Sequence, residues 1–119
     1  MWTRAVGDTH VVELVGDLDI LTAEALRTAL ATASSAVPAQ GLLVVDLDGV
    51  LFCGVRGLDI ILRAAEAGPR LVLTRYPAPV GRLLDLLQVV REPHPVHGDP
   101  SAVEIRPRRP AVIPHPAAP

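Results

Sequence analysis

The sequence predicts an α/β domain, a small mixed β-sheet with helices packed against it, and three observations carry that prediction. A chain of 119 residues holds one domain of ordinary size, and 50% hydrophobic residues suffice to build its core. Short apolar runs suited to strands alternate with stretches whose apolar residues recur at helical spacing. One run, Leu42-Leu43-Val44-Val45-Asp46-Leu47, is apolar on both faces until its end, as a parallel strand covered on each side requires.

Thr3 to Val6 and His10 to Val15 read as two short strands around a Gly7-Asp8-Thr9 turn. Thr22 is placed to cap a helix in which Leu26, Ala29, Leu30 and Ala33 share one face, with Leu21 stapled onto Leu26, and Ser34 to Gly41 closes it. After the central strand, Leu58, Ile61, Leu62 and Ala65 line the inner face of a second helix whose outer face carries Arg56, Asp59, Arg63 and Glu66. Gly68-Pro69 stops it. Leu71 to Thr74 forms the next strand, and Pro79 sits where a third helix can start, lined by Leu83, Leu84, Leu87 and Val90. A short strand near Pro95 to His97 and a helical stub from Ser101 are expected to finish the domain.

Eight of the 12 prolines fall between Pro93 and Pro119, too close together for helix or internal strand. The domain is therefore expected to span 1–106, and 107–119 to be a disordered proline-rich tail, either solvated or docking to a proline-reading partner.

Composition narrows function. With 11 basic against 13 acidic residues and only Trp2, Phe52 and Tyr76 as aromatics, the chain has neither a basic footprint nor a stacking surface for nucleic acid. Every basic residue is Arg, which excludes chemistry that needs a lysine. The single Cys53 cannot form an internal disulfide, Met1-Trp2-Thr3-Arg4 leads into a polar segment, and no apolar run nears the roughly 18 residues of a membrane helix. A cytoplasmic setting without membrane insertion is the expectation. Cys53 is expected to be a small buried thiol rather than a nucleophile. His94, His97 and Asp99 have a spacing a metal can use, but the prolines around them read as a surface loop, so no metal is expected.

Val45-Asp46-Leu47-Asp48-Gly49-Val50 resembles the first motif of the haloacid dehalogenase phosphatases. That resemblance implies Asp46 as a nucleophile on phosphorus, Asp48 as acid and base, Mg²⁺ beside them, and Thr74 holding the phosphate. The family's lysine and a downstream acidic pair are missing, and without them Asp48-Gly49 is simply a chain-reversing turn.

A wider resemblance runs over about residues 3 to 105. Gly16-Asp17-Leu18-Asp19, then Thr22-Ala23-Glu24-Ala25-Leu26, then Val45 to Phe52, then Gly57-Leu58, taken in order and spacing, resemble a STAS domain of the anti-sigma factor antagonist family. The resemblance implies a single non-enzymatic STAS-like domain without cofactor. It would bind an anti-sigma factor, an ATPase-fold serine kinase, and phosphorylation of the first Ser in an Asp-Ser-Ser-Gly motif would break the complex. Here that motif reads Gly54-Val55-Arg56-Gly57, so Val55 stands at the phosphoserine position without a hydroxyl. Nearby hydroxyls at Thr74 and Ser34-Ser35 lie elsewhere in the pattern.

Gly54 caps the helix only through backbone freedom, and Arg56 in the first turn opposes the helix dipole, with Asp59 three residues on to neutralise it. The expected partner surface is Asp17, Asp19, Gly54, Val55 and Arg56, with Asp59 and Arg63 at its rim. Asp17 and Asp19 fit turn formation and capping equally well. A STAS subunit of a larger assembly, stressosome-like or a lipid-transporter complex, is the alternative reading.

Overall fold

The computed structural model describes residues 2–96 and 98–106. The segment expected as a tail, 107–119, and His97 lie outside the described residues. Six strands form one mixed sheet in the order β1-β2-β3-β4-β6-β5. They are β1 (Trp2–Val6), β2 (Thr9–Leu18), β3 (Leu42–Cys53), β4 (Arg70–Thr74), β5 (Val90–Pro93) and β6 (Val103–Arg106), interleaved with helices α1 (Ala23–Ala36), α2 (Val55–Ala67) and α3 (Ala78–Leu86). β3 is central and runs parallel to both β2 and β4, as its doubly apolar sequence requires.

All three helices cover one face of the sheet. Val12 and Leu14, Leu43, Val45 and Leu47, Leu71 and Leu73 point into a core shared with Leu26 and Leu30 of α1, Leu58 and Ile61 of α2, and Val80 and Leu84 of α3. The opposite face carries the alternate residues Val11, Leu42, Val44 and Val72, and Val96 and Ala102 pack against them.

Several local expectations change. The Asp48-Gly49 turn is strand: β3 continues to Cys53 and β2 to Leu18, because two register shifts let seven steps of β3, Asp46 to Cys53, lie along five steps of β2, Glu13 to Leu18. Gly49 fits because a Cβ there would meet the Val15 side chain at 2.7 Å. Leu21 is 89% exposed and staples nothing. Ser34 and Ser35 belong to the last turn of α1. Ile60 joins the buried face of α2, where Leu62 and Ala65 are only half-buried. In α3 the buried pair is Val80 and Leu84, while Leu87 is exposed and Val90 starts β5.

At the carboxyl end, Val96 and Asp99 form only an isolated bridge where a strand was expected, and the helical stub from Ser101 is replaced by β6. β6 pairs antiparallel with β4 and puts Ile105 into the helix-side core. Its Glu104 is buried on the other face, where Arg70 binds it through two nitrogens at 2.7 and 3.2 Å.

Candidate functional site

Parallel pairing of β2 and β3 brings the marked residues to one end of the sheet. Asp17 lies opposite Phe52 and Leu18 opposite Cys53, and α2 begins two residues later, at Val55. The Gly54 amide donates to the Leu18 carbonyl at 3.0 Å, and the Gly54 carbonyl accepts the first bond of α2 from Leu58 at 3.1 Å. Gly54 is the N-cap in extended conformation (φ −86°, ψ 175°), so no side chain reaches the free amides of the first turn, where Asp, Ser or Thr would.

Val55 and Arg56 are exposed on that first turn. Asp59 bonds Arg63 at 2.8 Å, one turn on, rather than Arg56 as the sequence suggested, because the i,i+4 spacing brings the longer reach into line. Arg56 thus has no ion-pair partner among the described residues. Val55, Arg56, Asp59 and Arg63 line a groove of about 600 Å³ that Leu62, Glu66, Leu87 and Val89 complete along α2 toward the end of α3.

The two acidic candidates separate. Asp17 is exposed, and its carbonyl accepts from the Thr22 hydroxyl at 2.8 Å. Asp19 is half-buried and closes the β2–α1 turn, its Oδ1 accepting from the amides of Leu21 at 2.9 Å and Thr22 at 3.2 Å. Thr22 is the N-cap of α1 by position, but its hydroxyl serves this turn, accepting from the Asp19 amide at 3.0 Å, and not the helix.

The sequence reading missed the apolar surface around this end. Ile20 and Leu21 in the β2–α1 turn, and Leu51, Phe52 and Val55 along the β3–α2 junction, are each more than half exposed. Their exposure follows from position. Leu21 precedes the helical period of α1, and Leu51-Phe52 follow the β3 irregularity that breaks the inward alternation. Cys53, between Phe52 and Gly54, is buried and its thiol is pushed up to about 11 by loss of solvent, as expected of a core thiol.

The Asp46 cluster lies on the face opposite the helices. Asp46 is buried, ion-paired with Arg75, and accepts the Asp48 amide at 2.9 Å. Thr74 does not stand free to hold a phosphate: its hydroxyl donates to Asp99 Oδ2 at 2.7 Å, and the Arg75 amide donates to the same oxygen at 2.9 Å. These bonds hold Asp99 below the usual carboxylate range and fix Arg75 at φ +52°. His94 turns to Glu104 at 3.7 Å instead of to Asp99, and no three His, Cys, Asp or Glu side chains converge among the described residues.

A family profile described as Mlab, STAS domain, matches residues 1–91. An anti-sigma factor antagonist from Mycobacterium paratuberculosis is 26% identical, with a TM-score of 0.58 over 71% of this chain and 74% of its own. The anti-sigma factor antagonist SpoIIAA in its unphosphorylated form is 24% identical, with a TM-score of 0.54 over 71% and 81%. A sulfate transporter family protein from Wolinella succinogenes shares the fold at 13% identity, with a TM-score of 0.55 over 71% and 70%. No curated protein matches the chain.

Proposed function

Because this chain belongs to the STAS domain family, we propose that it works by binding a protein partner, an anti-sigma factor of the ATPase-fold kinase type, and so regulates sigma-factor-dependent transcription without a serine phosphorylation switch. The reading implies a bacterial, cytoplasmic protein with no cofactor. The observation that carries it is the start of α2. Gly54-Val55-Arg56 offers uncapped amides, no hydroxyl and an Arg without an ionic partner among the described residues, inside a rim of exposed apolar side chains. A phosphate placed there would bring roughly −1.5 to −2 charges to a helix amino terminus that tolerates them and a partner surface that does not. Val55 cannot carry one, and Arg56 sets the opposite charge in its place. The surface is therefore read as permanently competent, with Asp17 beside it and Asp59 and Arg63 at its edge.

A STAS subunit held in a larger assembly, stressosome-like or part of a lipid-transporter complex, is the second reading. The Mlab family description and the extent of the exposed apolar rim favour it, since a permanent subunit needs no switch. Phosphatase chemistry at Asp46 is not favoured, because Arg75 and the Asp48 amide already occupy its carboxylate.

The test is capture of binding proteins from source lysate by the tagged chain, wild type beside Arg56→Glu, with ATP or ADP added and retained proteins identified by mass spectrometry. An ATPase-fold anti-sigma factor retained by the wild type, released by the charge reversal and indifferent to ATP supports the first reading. Retention of transporter subunits or other STAS proteins moves the function to the second. Mg²⁺-dependent aryl phosphate hydrolysis that Asp46→Asn abolishes would overturn both.

A further inference from the structure

We propose that two copies of this chain associate through β1, pairing antiparallel edge to edge so that their sheets become continuous. β1 is an edge strand whose five residues are all exposed, including the single tryptophan, Trp2, at 69%. The other edge of the sheet is blunted by Pro93 and the charges of Arg91 and Glu92. β1 has no proline or bulge, and Arg4 is its one charged residue.

The hairpin fixes which backbone groups are free. Gly7 at φ +60° opens a two-residue turn, and Val6 and Thr9 are the pair that closes it. Alternation along the ladder gives Arg4 and Trp2 the same inward bonding and turns the N–H and C=O of Thr3 and Ala5 away from β2. Trp2 and Arg4, opposite Glu13 and Val11, lie on the face that the helices leave open.

A twofold axis through Thr3 joins these features. Thr3 then exchanges both backbone bonds with the partner's Thr3, and Trp2 stands opposite the partner's Arg4. That pair is of the non-hydrogen-bonded kind, whose side chains approach closest, so an indole and a guanidinium meet on each side of the axis. Threonine opposite threonine is a favourable cross-strand pair. The neighbouring register, centred on Arg4, would set two guanidiniums directly opposite each other, which destabilises a ladder. Charge thus selects a second copy and its alignment. β1 covers only the Thr9–Glu13 half of β2, so the pairing leaves the Leu18–Gly54 end free in both copies.

The test is sedimentation of the untagged full chain from micromolar to millimolar concentration, with Trp2 emission followed in parallel. The expected result is a mass rising from 12.6 kDa toward twice that value, with emission shifting to shorter wavelength over the same range. Thr3→Pro, which removes an outward N–H that the hairpin does not use, should abolish both changes. Arg4→Ala should weaken association about tenfold through loss of two indole–guanidinium contacts, and it remains decisive if the proline variant fails to fold. A mass fixed at 12.6 kDa throughout, a dimer that survives in folded Thr3→Pro, or tighter association of Arg4→Ala would each overturn the proposal.

Discussion

A Cβ on Gly57 would lie 2.5 Å from the carbonyl oxygen of Leu18, so α2 starts in backbone contact with the end of β2. The same carbonyl accepts the Gly54 amide, and between these two glycines hang Val55 and Arg56. The candidate surface is held in place by an approach that only glycine permits. Gly57→Ala is expected to destabilise the fold by about 1–3 kcal/mol in a urea titration, although alanine is the better helix former by about 1 kcal/mol, because the obstructing atom is backbone. Unchanged or increased stability would show that α2 can shift away from β2 without cost.

Val55→Glu should separate fold from binding by acting on them in opposite directions. The first turn of α2 carries no acidic residue, so a carboxylate there is expected to stabilise the isolated chain by about 0.3–1 kcal/mol. The same charge, next to Phe52 and the exposed apolar rim, is expected to weaken the partner complex about tenfold or more. Calorimetric titration and thermal unfolding of the one variant check both signs.

Acid should unfold the protein through the carboxylates of its carboxyl-terminal segment. Asp99 and Glu104 are both held below their ordinary values, Asp99 chiefly by the Thr74 hydroxyl and the Arg75 amide and Glu104 chiefly by hydrogen bonding from Arg70. A group lowered in the folded state contributes stability that is complete above its unfolded value and is lost as pH falls through its folded one. Stability is therefore expected to be level above the ordinary values of 3.8 and 4.5 and to fall progressively below them. In Asp99→Asn and Glu104→Gln the neutral-pH stability should drop and the acid limb flatten, as read from denaturant midpoints between pH 2 and 7.

Cys53 should be almost inert until the chain unfolds. With its thiol pushed up to about 11, the reactive thiolate is scarce at pH 8, and burial closes access to it. A disulfide reagent at pH 8 is expected to label the native chain at least 100-fold more slowly than the same chain in guanidinium. Labelling at similar rates would place the thiol at the surface.

Periodicity made most of this architecture legible. Leu26, Leu30 and Ala33 in α1, Leu58 and Ile61 in α2, and the apolar run into Asp46 are core in the structure because each segment buries the face its spacing dictates. β6 was hidden because Val103-Glu104-Ile105-Arg106 reads as a strand only if the buried Glu104 is accepted, and its neutralising partner Arg70 lies 34 residues away. Asp48-Gly49 looks like a turn in isolation, and only pairing with β2 turns it into a strand irregularity. At the candidate site, Asp17 and Gly54 to Arg56 lie at one end of the sheet because β2 pairs parallel with β3. The engagement of Asp19 in its turn and of Asp59 by Arg63 depends on side-chain geometry that spacing alone leaves open. The apolar rim escaped notice because a sequence reading assigns leucine and phenylalanine to the core, and whether they find cover is decided by the packing of distant segments.

The measurement closest to the central claim is calorimetric titration of an ATPase-fold anti-sigma factor, purified after capture by this chain, in ATP and in ADP, for wild type and Arg56→Glu. A permanently competent surface predicts equal affinity of the wild type in both nucleotides, no phosphate incorporated, and a loss of about tenfold or more with Arg56→Glu. Release of the wild type by ATP, or unaltered binding by Arg56→Glu, would contradict it.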